Sequence, residues 1–253
     1  IFRVAGGSEH VKFQQSHFGR LDLPGIPLQD EEDFGNGTYM RAFRMGRMPD
    51  KGVNAVWSVE GRLRLLPDGL KVFLSHWELT PDSEIGTCKG WLAIGGHNST
   101  EQLWIPRLVV RRRGDGLAST FVAVLDPHTG SPSVISARRL PVSGDGTVAV
   151  EITRSDGLVD IIVARDPESP QGPTEIPERS IIVDGDLCRL TLDKSGRAVR
   201  AATVGCRNVE APGLRLMMKD AGSRSVVEVR AAGGRAIIEA GRGLVLHASV
   251  KKQ

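Results

Sequence analysis

The sequence predicts an all-β protein: a large antiparallel β-sandwich of two or more packed sheets, with a smaller sheet as an option for the C-terminal strands. Three observations carry this expectation. Apolar and polar residues alternate with period two, as at 69–77, where Leu70, Val72 and Leu74 fall on one face and Lys71, Phe73 and Ser75 on the other. Strand candidates recur every 8–12 residues or about that, separated by Gly/Asp turns, and no long amphipathic helix interrupts them. The chain's 30 Gly and 14 Pro are spread along its length, as many short strands joined by tight turns require.

In chain order, Ile1-Phe2-Arg3-Val4 reads as a strand already under way, which is the expectation for a fragment. Residues 20–52 are rich in Gly, Pro and Asp and carry the basic run Arg41 to Arg47. They read as mostly irregular, a segment that runs across a neighbouring domain. Residues 103–113, the turn Gly114-Asp115-Gly116 and residues 119–125 read as a β-hairpin, with Gly supplying the positive φ. The pattern repeats at 132–140, 147–153 and 158–165, with Gly144-Asp145-Gly146 and Asp156-Gly157 as turns. Further strands are expected at 180–192, interrupted by Asp184-Gly185-Asp186, and at 197–204, 224–230, 234–239 and 243–249. The polar, Pro-rich stretch at 166–179 then divides a main sandwich over 1–165 from C-terminal strands over 180–253, as a surface loop or linker.

Composition narrows the function classes. Of the 253 residues 40% are hydrophobic, enough for a real core and too many for a disordered chain. A formal charge of +3 with a pI near 8.9 permits an acidic partner without requiring one. Basic residues are interleaved with acidic ones and no nucleic-acid motif is present, so nucleic acid is not an expected partner. No run approaches the roughly 20 apolar residues of a membrane-spanning helix, so a membrane is not expected either. Cys88, Cys188 and Cys206 are too scattered for a disulfide framework, a zinc ribbon or a redox pair, and read as small apolar strand residues. Phosphate-binding loops, nucleophile elbows and HExxH motifs are absent, and no cofactor is implied. Asn36-Gly37-Thr38 and Asn98-Ser99-Thr100 match the glycosylation sequon, a motif frequent by chance.

Two stretches point to a family. Phe2-Arg3-Val4-Ala5-Gly6-Gly7-Ser8-Glu9-His10, followed by His17 and Gly19, resembles the segment that opens the later part of the sandwich in heparinase II/III-like proteins. Leu108-Val109-Val110-Arg111-Arg112-Arg113, a Gly-Asp-Gly turn, and Ser119 through Pro127 resemble that family's strand–turn–strand, with Asp126 where the family carries Glu. Asp160-Ile161-Ile162-Val163 and Val183-Asp184-Gly185 follow in the family's order, so the resemblance covers most of the chain as a series of short motifs.

The resemblance implies a polysaccharide lyase. Such enzymes cleave acidic polysaccharides by β-elimination: a base takes the C5 proton of a uronic acid and an acid protonates the departing O4. In the family, Tyr, His, Asn and Arg side chains do this, most of them on an N-terminal α/α toroid and the first strands of the sheet domain, and a central His-x-His stretch precedes the segment that this chain resembles. This chain has no His-x-His and one Tyr. The implied role is therefore that of the C-terminal sandwich, which packs on the toroid, walls the cleft and lacks the main catalytic set. The alternative is a stand-alone carbohydrate-binding or structural sandwich. The polysaccharide, the oligomeric state and the compartment stay open.

Individual residues carry two readings each. His10 and His17 stand at the cleft edge, assisting proton transfer or binding a carboxylate, or they hydrogen-bond backbone where a strand leaves the sheet. Arg3, Arg111 and Arg113 are candidate substrate contacts. Arg111 and Arg113 share a strand face from which Arg112 points away, and the bland reading of the run is solvated charge. Arg41, Arg44 and Arg47 share a face only if their segment is helical. Trp57, Trp77, Trp91 and Trp104 are sugar platforms or core, with Trp104 the candidate contact and Arg107 a candidate cation beside it. His76, among apolar neighbours, reads as a satisfied core or interface histidine.

Overall fold

In the computed structural model, which describes residues 1–32, 39–62, 66–92, 103–144, 146–219, 226–232, 235–240 and 245–249, the period-two patterning gives antiparallel strands throughout. Both sequons lie outside the described residues. The chain forms two compact units, Ile1–Ser133 and Val134–Gln253.

The first unit contains β1 (Phe2–Ala5), β2 (Glu9–Gln15), β3 (Gly19–Asp22), β4 (Gln29–Asp30), β5 (Met40–Arg47), β6 (Val53–Val59), β7 (Val72–Glu78), β8 (Glu84–Leu92), β9 (Leu103–Arg113), β10 (Ala118–Phe121) and β11 (Ala123–His128). A five-stranded sheet runs β2-β9-β8-β5-β4, a four-stranded sheet β11-β7-β6-β3, and β1 pairs with β10. Alternation along β9 explains the layering. Leu108 and Val110 face a core shared with Trp57 and Ala55 of β6, Ile85 of β8 and Phe121 of β10. Val109, between them, faces the other way, into a second apolar cluster with Phe43, Met45 and Cys88.

The second unit contains β12 (Val134–Leu140), β13 (Thr147–Arg154), β14 (Val159–Arg165), β15 (Thr174–Ile176), β16 (Ile181–Asp184), β17 (Leu187–Leu192), β18 (Ala198–Val204), β19 (Asn208–Ala211), β20 (Leu214–Lys219), β21 (Val226–Ala232), β22 (Arg235–Ala240) and β23 (Val245–Ser249). Its sheets run β12-β13-β14-β17-β18-β21-β22 and β15-β16-β19-β20-β23. Ile161, Leu190, Ala201 and Val229 of the first pack with Ile176, Ile181, Val209 and Leu216 of the second in one core. All three cysteines are free and buried, as small apolar strand residues are.

Several expectations need correction. The turn Gly114-Asp115-Gly116 does not close a hairpin: β9 already has β2 on one edge and β8 on the other, so the chain leaves that sheet and β10 joins β1. The division of the chain falls at Ser133/Val134 rather than in 166–179, because β14 pairs with β17 across the Pro-rich stretch and keeps both in one sheet. That stretch itself contributes β15 and a 3₁₀ turn at Pro177–Arg179. Residues 20–52 are less irregular than their composition suggests, since β5 is an eight-residue strand with a bulge between Arg41 and Arg44. Asp184-Gly185-Asp186 is where the chain crosses between the sheets of the second unit. A Cβ at Gly185 would lie 2.2 Å from Cys206 Sγ, which is why a glycine stands there.

Candidate functional site

The two stretches that carry the family resemblance lie about 100 residues apart in sequence and come together in the first unit. Strand β1 pairs with β10 from Phe2↔Phe121 to Ala5↔Ala118, and β2 pairs with β9 from Glu9↔Arg113 to Gln15↔Arg107. Between β1 and β2, Gly6 and Gly7 take positive φ values of 92° and 79°, which lets the chain reverse. His10 locks this corner. Its Nε2 lies 2.5 Å from the Gly6 carbonyl, which only accepts, so Nε2–H donates and Nδ1 is left to accept from Ser119 Oγ at 2.8 Å. Arg112 donates to the Ala118 carbonyl (3.0 Å) and to Ser119 Oγ (3.2 Å) from the strand opposite. With both ring nitrogens engaged, buried His10 is placed to hold backbone where the strand enters the sheet.

His17 is not brought near His10. It stands beyond the other end of β2, about 20 Å along a strand of this length, half-buried with its ring edge-on to Phe18 at 4.9 Å. Arg3 is half-buried on β1, opposite Thr120.

Arg111 and Arg113 do share a face, and it is the face away from the Trp57 core. Arg111 is fully buried: its Nε is 2.7 Å from Glu84, and its guanidinium also meets Glu31 at 3.4 Å and Glu9 at 4.0 Å. Arg113 meets Glu9 at 3.0 Å and Glu31 at 3.6 Å. The hydrogen bond from Arg111 holds the Glu84 carboxyl below its ordinary range, and Glu9 raises Arg113 in turn. A cleft of about 390 Å³ opens beside them, lined by Arg47, Asp50, Asp82, Glu84, Arg111 and Arg113. Its charge is mixed, so it selects for no single sign of ligand.

Trp104 lies on the opposite face of β9 from Arg111, directly across from Trp91 of β8. Both are half-buried, whereas Trp57 belongs wholly to the core. The cation on Trp104 is Arg41, whose guanidinium carbon stands 3.7 Å from the ring centroid. Arg107 does not play that part, because residues three apart on a strand point to opposite faces. Its side chain instead lies over Gly90. Tyr39, just before β5, stacks on Trp91 with centroids 5.2 Å apart and 29° between planes. Arg41, Arg44 and Arg47 diverge along a bulged strand: Arg44 reaches Asp30 and the Leu28 carbonyl, and Arg47 lines the cleft.

One cluster escaped the sequence reading except for His76, which is buried and hydrogen-bonded as a core histidine was expected to be. Fully buried Glu78 ends β7 and accepts from Lys12 Nζ at 2.5 Å and His76 Nε2 at 2.8 Å on one oxygen. Its other oxygen accepts from Thr80 Oγ1 at 2.5 Å and the Thr80 amide at 3.3 Å. Thr80 Oγ1 accepts a hydrogen bond from the Val122 amide in turn. Burial by itself raises the Glu78 carboxyl; the His76 hydrogen bond and the charge on Lys12 more than offset it and leave the group below its ordinary range. The signal was present in the alternation. The face of Leu70, Val72 and Leu74 continues through His76 to Glu78, so two polar residues sit on an apolar face, and that placement demands internal partners.

The second unit spends its buried acids structurally, with Glu151 held by Arg138 and Arg179 and Asp160 held by Arg189 and Thr191. Among the described residues no group of three His, Cys, Asp or Glu is placed to hold a metal ion, and no helix is long and apolar enough to cross a membrane. No protein-family model matches this chain, and no curated protein matches it.

Proposed function

We propose that this chain is the β-sandwich portion of a heparinase II/III-like polysaccharide lyase, with acidic polysaccharide as its substrate and an α/α toroid of the same protein as its partner. The observation that carries the reading is the joint formed by the two resembling stretches. Segments 2–10 and 108–127 are remote in sequence, yet they pair strand against strand through β1·β10 and β2·β9. The histidine of one is hydrogen-bonded to the serine of the other. Motifs that serve one structural purpose are expected to travel together, and a chance series of short matches has no reason to converge on one corner.

In this role the chain supports the cleft and orients the uronate chain, while the proton transfers of β-elimination fall to residues outside it. The engagement of both His10 nitrogens within the corner fits that division. Assaying the full-length protein and the isolated chain on a panel of acidic polysaccharides tests it, with the ultraviolet absorbance of the unsaturated uronate product as the readout. Growth with the full-length protein alone is expected. Growth with the isolated chain would refute the claim that catalysis needs residues elsewhere, and growth with neither would refute the lyase reading. The half-exposed group of Tyr39, Trp91 and Trp104 favours one alternative, a carbohydrate-binding sandwich without an enzymatic partner.

A further inference from the structure

Two neighbouring rows of side chains on the five-stranded sheet stand out for their chemistry. The first is aromatic. Tyr39, Trp91 and Trp104 come from three adjacent chain segments, linked by the Trp91 amide donating to the Tyr39 carbonyl at 2.8 Å and by the direct pairing of Trp91 with Trp104. With strands about 4.8 Å apart, the row extends over about 10 Å. Tyr39, at its end, is 46% exposed. The second row is cationic. Arg41 of β5 is directly opposite Lys89 of β8, two residues before Trp91, so both cations project on the same face as the aromatic row.

Like charges directly opposite on neighbouring strands repel. Elsewhere in this unit Arg20, Arg44, Arg62, Arg111 and Arg113 each meet a carboxylate. Arg41 and Lys89 are both exposed, and among the described residues neither meets one. Arg41 instead lies over the Trp104 ring and stays exposed, so its N–H groups are available to a carboxylate. The backbone is shaped for this placement. Ala42 takes φ 56° at a bulge between Arg41 and Arg44, a left-handed conformation unusual for a residue with a side chain, and bulges re-aim side chains in this way.

We propose that Arg41, Lys89, Tyr39, Trp91 and Trp104 form a subsite for an acidic sugar residue. The Arg41/Lys89 pair receives its carboxylate, Tyr39, the exposed end of the aromatic row, takes the apolar face of the ring, and Trp91 and Trp104 hold Tyr39 and Arg41 in place. The subsite deepens the proposed function and rests on its assumption that the chain meets an acidic polysaccharide. No bond is made or broken here; the subsite positions the chain.

The test is a titration of the isolated chain, followed by tryptophan emission, with oligomannuronate, a hyaluronan hexasaccharide, cellohexaose and a single-stranded oligothymidylate as probes. At least one acidic oligosaccharide is expected to bind, to bind tighter than cellohexaose, and to weaken with added salt. R41Q with K89Q is expected to cut that affinity tenfold or more, and so is W104A. R20Q, on an exposed arginine of another sheet, is expected to leave it unchanged. Urea midpoints of all variants establish that they fold, and K89Q alone, which disturbs no aromatic contact, still has to weaken binding. Failure of both acidic sugars to bind, equal binding of cellohexaose, unchanged affinity in R41Q/K89Q, or tighter binding of the oligonucleotide at the same residues would each overturn the subsite. The outcomes separate from those of the lyase assay. A full-length lyase whose KM ignores R41Q/K89Q refutes the subsite and spares the proposed function, whereas binding without lyase activity in the full-length protein does the reverse.

Discussion

Replacing Glu78 by Gln removes one negative charge from the interior of the first unit with almost no change in shape, and the consequences can be worked out. The carboxylate accepts four hydrogen bonds, two of them on the oxygen shared by Lys12 and His76. A glutamine accepts on one oxygen only, and its amide nitrogen faces donors. Leaving a buried ion pair half-made costs about 3–5 kcal/mol. Lys12 keeps 17% of its side-chain exposure and some water, so about 3 kcal/mol is the reasonable expectation at neutral pH. With a urea dependence of about 2 kcal/mol per molar, the midpoint should fall by about 1.5 M. Tryptophan emission is the assay of choice, because all four tryptophans (57, 77, 91 and 104) lie in the first unit and report its unfolding alone. The pH dependence has a definite sign. Glu78 titrates lower in the folded chain than in the unfolded one, so its contribution is complete above the ordinary carboxyl pKa of about 4.3. It is lost as the pH falls through the folded value, where the wild type also protonates. The gap between wild type and E78Q should be full at about pH 7 and should close as the pH falls below about 4. A gap that persists unchanged into acid would show that shape, not charge, accounts for the loss. No gap at pH 7 would show that the network does not stabilise the unit.

Three further substitutions or reactions follow from the same structure. R111M should lower the first unit's urea midpoint, because it leaves Glu9, Glu31 and Glu84 facing one another; the loss should shrink on acidification as those carboxylates protonate, and a loss independent of pH would refute this. Gly86→Ala should cost more than Gly90→Ala, by about 1–3 kcal/mol: a Cβ at Gly86 meets the Arg44 carbonyl oxygen at 2.1 Å, whereas the nearest atoms to one at Gly90 belong to the movable Arg107 side chain. Equal urea midpoints for the two variants would refute that reasoning. Cys188 and Cys206 should resist a thiol-specific reagent until the second unit unfolds, since burial raises both thiols, Cys206 to about 11, and only the thiolate reacts. Rapid labelling of either in the native protein would count against the packing described.

The fold class was legible because period-two alternation is local, and the cysteines, read as small apolar strand residues, are buried; which of the four tryptophans is core was not legible. Sheet membership was not legible. The Gly-Asp-Gly turn at 114–116 has every local property of a hairpin, and what forbids one is that both edges of β9 are filled by strands from elsewhere in the chain. The boundary between units failed for the same reason. A Pro-rich stretch looks like a linker until β14 and β17 pair across it. Polar residues on an apolar face, His76 and Glu78, were readable as an anomaly, but their partner Lys12 lies 66 residues away and pattern alone gives no means of finding it.

The arginines make the sharper case, since a cation's use depends on which carboxylates the fold brings to it. The run Arg111-Arg112-Arg113 reads as a candidate polyanion contact or as solvated charge. The fold nevertheless surrounds Arg111 and Arg113 with Glu9, Glu31 and Glu84, and turns Arg112 inward to backbone carbonyls and Ser119. Arg41 sits in a segment whose composition reads as irregular, and there the fold supplies an indole face and a second cation in place of an acid. A guanidinium already neutralised by three glutamates must surrender them before it binds a uronate. One that lies over Trp104 beside Lys89 loses only water. On that difference the exposed pair, and not the triple arginine, is the proposed subsite for an acidic sugar.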